Sequence, residues 1–180
     1  MKKLVIEKTP RVTKNKKKIE KELEISISSS GNEICIEGKP EKEYIAEKII
    51  EAISIGFSLS EAFQLKDEDF MFEMINIKDH TTKKNLERIK GRIIGKDGRA
   101  KNTLSQLTKC NFEIKDNIVG IIGPAECIEN AQNAIISLIN GSKHANVYGY
   151  LERNQPKLEP DLGLKEDFKE KASDSEEESD

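Results

Sequence analysis

Ten residues, Arg92 to Lys101, read RIIGKDGRAK and bring two glycines, four cations and one acid together. Glycine takes positive φ and lets the backbone approach a ligand where a Cβ would clash. A helical pattern begins at about Arg99, so the free N–H groups and positive dipole end of that helix point back at the loop. With Lys96, Arg99 and Lys101 beside it, and Lys90 and Arg92 just upstream, the stretch is a seat for an anion. Two chemistries use such a seat: nucleotide hydrolysis, and the holding of a nucleic-acid backbone. The phosphate loop of an NTPase needs G-x-x-x-x-G-K-[ST] after a strand. Here Gly91 to Gly95 is one residue short, Asp97 stands where a magnesium-binding hydroxyl is required, and the segment before the loop reads as helix. Backbone binding is therefore expected, and enzymatic turnover is not.

The elements that position this loop emerge from a repeat. Glu24 to Gly56 and Glu113 to Gly141 each read as strand, polar turn, second strand ending in glycine, nearby proline, helix and stop glycine. The spacing across the helix is eighteen residues in both, Gly38 to Gly56 and Gly123 to Gly141. Proline at a helix start and glycine just past its end is the asymmetry helices favour. Tyr44, Ile45, Lys48, Ile49, Ala52 and Ile53 form one predicted face, and Ile128, Ala131, Ile135, Leu138 and Ile139 the other. Each half has a further strand upstream, KLVIE (Lys3 to Glu7) and FMFEMINI (Phe70 to Ile77). In the second half about thirty-five residues part the strands, room for two helices around GKDG. TTKKNLERIKGRII is read as the first, with Thr81 or Thr82 as cap, and RAKNTLSQLTK as the second. The first half has room for one helix, KNKKKIEKEL, and SLSEAFQL joins the halves with Ser58 or Ser60 as cap.

The fold class is thus α+β: two tandem modules, each an antiparallel three-stranded sheet with helices on one face. Helix, GxxG, helix within that strand order is the signature of the KH fold, whose loop clamps about four backbone nucleotides. The sequence resembles a type I KH domain at residues 69–153, preceded by a degenerate KH-like module without GxxG at 3–57 and a helical connector at 58–68. Two walls are implied, the loop with the second helix and the second strand, over an apolar floor of Ile94, Leu104 and Ile114. That floor is too narrow for paired bases, so the ligand is single-stranded RNA. Aliphatic platforms agree with an aromatic content of only 5% and no Trp. The candidate RNA-binding residues are Arg92, Ile93, Ile94, Gly95, Lys96, Asp97, Gly98, Arg99, Lys101, Asn102, Leu104 and Ile114.

One departure narrows the resemblance. Many KH domains carry an aliphatic residue three positions after the second loop glycine, where this chain has Lys101. GRIIGKDGRAK with that lysine is similar to the KH proteins of small ribosomal subunit assembly, the partner-of-NOB group and its archaeal counterparts. Lys143-His144, Val147-Tyr148 and Leu151-Glu152-Arg153 resemble the archaeal members. The resemblance, over Lys3 to about Arg153, implies binding near the 3′ end of small-subunit rRNA. It further implies cooperation with the rRNA-maturing endonuclease and contact with the α subunit of translation initiation factor 2. The same loop chemistry also suits a KH adaptor in mRNA decay or an exosome-type complex. A module without its loop also suits a protein-docking role.

Charge supports a polyanion partner. The net charge is −3 over 180 residues, yet Met1 to Lys21 and Lys83 to Lys109 each carry nine bases against two acids. The counterweight is Glu159 to Asp180, ten acids against three bases, read as a disordered acidic tail that could shield the basic loop. Cys35, Cys110 and Cys127 are odd in number and lack CxxC spacing, so reduced thiols are expected. His80 and His144 stand apart, so neither a metal nor another cofactor is expected. No apolar run is long enough to span a membrane, and a cytoplasmic protein is expected.

Overall fold

The two halves of the repeat fold alike. The computed structural model describes residues 2–5, 10–30, 33–82 and 85–154; the acidic segment at 159–180 lies outside them. The first half runs β1 (Lys2–Val5), α1 (Pro10–Leu23), β2 (Ser26–Ser30), β3 (Glu33–Glu37) and α2 (Pro40–Ile55). The second runs β4 (numbered after the connector helix α3, Leu59–Phe63), which spans Phe70–Asn76, then α4 (Leu86–Ile94), α5 (Arg99–Thr108), β5 (Asn111–Lys115), β6 (Ile118–Pro124) and α6 (Ala125–Asn140). A last helix, α7 (His144–Arg153), follows. Both sheets are antiparallel with the latest strand in the middle, β1-β3-β2 and β4-β6-β5.

Local chemistry explains most boundaries. Helices α2 and α6 are both 16 residues long. They stop at Gly56 (φ 141°) and Gly141 (φ 105°), where a side chain would be strained. In the connector Ser58 accepts from the Glu61 N–H while Glu61 accepts from the Ser58 N–H, a reciprocal capping box.

Three expectations shift. Helix α1 begins at Pro10, the residue type best tolerated in a first turn, rather than at Lys14. Helix α4 is not capped by Thr81 or Thr82: a 3-10 turn occupies Ile77–His80, and the Asn85 side chain accepts from the Arg88 N–H at 3.1 Å. In α2, Tyr44 is 57% exposed, while Ala46, Ile50 and Ile55 are buried in addition to Ile49, Ala52 and Ile53. The burial of α2 is wider and rotated because the helix packs against β3 of its own sheet and against β5 and β6 of the other.

That packing joins the halves. Along β6, Val119 and Ile121 enter the core under α4, α5 and α6, whereas Ile122 enters the core of the first half. Gly120 lies on the same side as Ile122: a Cβ there would sit 2.7 Å from the Phe57 ring, so glycine is what admits Phe57. Phe57 also meets Phe72 edge to face, centroids 6.2 Å apart. The second sheet is covered by its own helices on one face and by the end of α2 and the connector on the other.

Candidate nucleic-acid interface

Helix α4 buries Ile89 and Ile93, one turn apart, which leaves the neighbouring Ile94 at the surface, 38% exposed, where the helix ends. Gly95 then takes φ 74° and ψ 173°, a conformation essentially reserved for glycine. A Cβ on it would also lie 2.6 Å from Ala100 Cβ and 2.7 Å from Ala100 N. Asp97 and Gly98 both have positive φ, 54° and 75°, and no side-chain oxygen caps the first N–H groups of α5. The GKDG backbone therefore wraps tightly onto the start of α5: the Gly98 N–H donates to Gly95 O and the Arg99 N–H to Lys96 O, and no side chain competes with an anion for the remaining amides of the first turn.

Helix α5 is seated by Ala100, Leu104 and Thr108, buried at every fourth position. The Thr108 hydroxyl donates to Leu104 O at 2.8 Å and accepts from the Cys110 N–H at 3.3 Å, which fixes the turn into β5. From the far side α7 clamps the assembly. Val147 and Leu151 are buried, and burial pushes the Tyr148 phenol up, partly offset by its hydrogen bond with Thr103.

Lys96, Asp97, Arg99 and Asn102 are exposed around the loop. Arg99 and Asp97 approach only to 4.0 Å with side chains 79% and 69% exposed, a pair worth little in water. Lys96 and Arg99 thus offer their charges outward beside the half-exposed Ile94. Ile114 is half-buried on β5. Ile93 and Leu104 are wholly buried; they support the floor from beneath and present no surface to a ligand, because their helical positions face the core. Arg92 is turned away from the loop. Its Nη1 and Nη2 donate to the carbonyls of Gly141 and Ser142 at the α6–α7 turn, and His144 Nε2 meets Arg92 O at 2.9 Å. Lys101 is engaged as well, donating to Glu113 on β5 at 2.6 Å.

Sequence reading missed a second cluster on β5. Glu113 and Lys115 alternate with Phe112 and Ile114 and so face the other way, toward the first half. Lys115 Nζ donates to Ser54 O at 2.6 Å and Arg11 to Gly56 O at 3.3 Å, around a cleft lined by both halves. The period-two alternation of β5 was a signal for this face; its partner was not visible in the sequence. Among the described residues no set of three or more His, Cys, Asp and Glu could hold a metal ion, and no helix is long and apolar enough to cross a membrane.

Comparison with known proteins gives this geometry a context. A family model described as the eukaryotic-type KH domain (KH domain type I), in its PNO1 second-domain form, matches residues 71–156. A KH domain-containing protein of Methanocaldococcus jannaschii is 34% identical over 151 residues, 79% of this chain and 66% of that one. The pre-rRNA-processing protein pno1 of Emericella nidulans is 32% identical over 111 residues, 59% of this chain and 43% of that one. The chain thus spans a little under two thirds of the archaeal relative and less than half of the fungal one. Crystallised Dim2p from Pyrococcus horikoshii superposes with a TM-score of 0.77 at 32% identity, covering 84% of this chain and 98% of that one. A chain of the a/eIF2alpha–aDim2p–rRNA complex from the same organism gives 0.78 at 32% identity, over 86% and 93%.

Proposed function

The chain belongs to the PNO1/Dim2 family of KH-domain proteins, and from that premise we propose that it is a non-catalytic RNA-binding factor in the maturation of small-subunit rRNA. The names of its relatives, pre-rRNA-processing protein and RNA-binding protein, support the process. The observation that carries the RNA reading is the GKDG loop: a tight turn through Gly95, Asp97 and Gly98 that leaves amides of the first turn of α5 without a side-chain cap, between Lys96 and Arg99 and beside the apolar Ile94. A single strand would lay its phosphates on those amides and cations and turn its bases onto Ile94 and Ile114, leaving no room for a paired base.

The ligand proposed is the 3′ region of small-subunit rRNA, held by the second module. A complex of the Dim2p relative with rRNA and the α subunit of initiation factor 2 supports both the RNA class and that protein partner. The maturing endonuclease is proposed as a further partner on the family resemblance.

Crosslinking in cells tests the reading: crosslinked fragments should concentrate at the 3′ end of small-subunit rRNA, and fragments drawn mainly from mRNA would replace it with a decay adaptor. In vitro, Lys96→Asp alone makes the loop GDDG, because position 97 is already acidic. That variant should melt like the parent and lose RNA. Each phosphate contact removed should lower the slope of log affinity against log salt by about 0.7.

A further inference from the structure

Lys101 stands where the motif most often has an aliphatic residue, and its charge does not go to the loop. Its Nζ spans from α5 to Glu113 on β5 at 2.6 Å, with the two side chains only 26% and 30% exposed. Helix α5 and strand β5 are the two walls of the proposed groove, so this pair ties one wall to the other. Glu113 also lines the cleft between the halves, with Arg11, Ser54 and Gly56. A Cβ on Gly56 would lie 3.8 Å from Glu113 Oε2 and 3.4 Å from the Arg11 guanidinium, which is fixed by its bond to Gly56 O. Two residues along β5, Lys115 is bound to Ser54 O. The acid therefore bonds the first turn of α5 and borders the cleft at the end of α2.

We propose that Glu113 is a positioning residue for RNA binding: through Lys101 it holds the first turn of α5, and with it the GKDG loop, at a set distance from β5. Lys101 acts by orienting the groove and does not itself meet phosphate. The proposal rests on the reading of the loop as an RNA site. It also reverses a simple electrostatic expectation. An acid next to a bound polyanion should weaken binding, so its removal should tighten binding; a positioning acid does the opposite when removed.

The test is the affinity of the full chain for a labelled single-stranded oligonucleotide of the small-subunit rRNA 3′-terminal sequence, measured across a salt series. Glu113→Gln keeps the shape, and the half-exposed position lets the variant fold, as a melting curve checks. It should bind roughly fivefold more weakly, the scale of one ion pair of this kind, with an unchanged salt slope. Lys101→Glu should bind far more weakly still. The swap Lys101→Glu with Glu113→Lys should recover most of the parental affinity, because the tie is rebuilt with its charges exchanged. Binding by Glu113→Gln that equals or exceeds the parent overturns the proposal. So does a swap no better than Lys101→Glu, or a Lys101→Met slope reduced by about 0.7, the mark of a direct phosphate contact. Lys96→Asp in the same assay separates the premise from the proposal. RNA retained by that variant overturns the loop as the RNA site and the positioning role with it. RNA lost by it, with Glu113→Gln undiminished, overturns the positioning role alone.

Discussion

A Cβ on Gly95 would come within 2.6 Å of Ala100, whereas one on Gly98 would meet nothing within 4 Å. The two glycines of the loop are therefore held by different constraints. Gly95→Ala combines the clash with a backbone region that costs about 1–3 kcal/mol for a side chain, and it should lower the urea midpoint and lose RNA binding together. Gly98→Asn should keep both, since asparagine tolerates the left-handed region; equal damage from the two variants would contradict this division. Arg92 makes a parallel case among the cations. Its guanidinium serves the carbonyls of the α6–α7 turn, so Arg92→Met should cost about 1–2 kcal/mol of stability and leave the salt slope of RNA binding unchanged. Cys110 carries a third residue-scale expectation. Burial pushes its thiol up to about 12 from an ordinary value of 9.0. A raised pKa means the folded form holds the proton more tightly, so this contribution is complete below pH 9 and is lost as pH rises towards about 12. Native Cys110 should resist thiol reagents at pH 8, and Cys110→Ala should flatten the alkaline limb of a stability profile.

At the scale of elements, α7 is the piece whose role is least obvious from its place after the KH unit. It lies against α5 and α6, buries Val147 and Leu151, and is tied by Tyr150 Oη donating to Asn130 Oδ1 at 3.1 Å. Leu151→Ala should cost about 3 kcal/mol, as for other buried leucines, and should weaken RNA binding by loosening α5 from behind; loss of stability with full RNA affinity would show that α5 is seated without it. The elements themselves were largely legible. Proline and glycine punctuation placed α2 and α6, and the two candidate caps Ser58 and Ser60 marked the start of the connector, where Ser58 is the one that caps. What was not legible were starts governed by a competing local structure. Thr81 and Thr82 look like caps, but Thr81 closes the Ile77–His80 turn, α4 starts only at Leu86, and Asn85 does the capping. The face of α2 was misjudged for another reason: a helix between two sheets has no single apolar stripe. The clue lay elsewhere, in the apolar run Ile118 to Ile122 of β6, which reads as a strand buried on both faces.

On the whole-molecule scale, the junction of the halves makes the loop-less module part of the support of the proposed RNA site: it covers the back of the sheet whose edge strand, β5, lines the proposed groove. The same scale governs the charge. Segment 83–109, which contains the loop, carries net +7, and segment 159–180 carries net −7. In sequence the acidic segment follows α7 by only a few residues, and α7 packs against α5. Opposite charges joined in one chain compete with any polyanion for the basic segment, and competition by charge alone does not read sequence. Deleting residues 159–180 should therefore raise affinity for an unrelated single strand such as poly-U several-fold at low salt, while changing affinity for the rRNA 3′ sequence less. The difference should fade above roughly 0.15 M salt, where the screening length falls below about 8 Å. Fluorescence anisotropy with both RNAs, on the full and shortened chains at two salt concentrations, measures it. Equal poly-U affinity at low salt would mean that the acidic segment leaves the loop alone, and a gain that persists at high salt would mean that it acts through a contact other than charge.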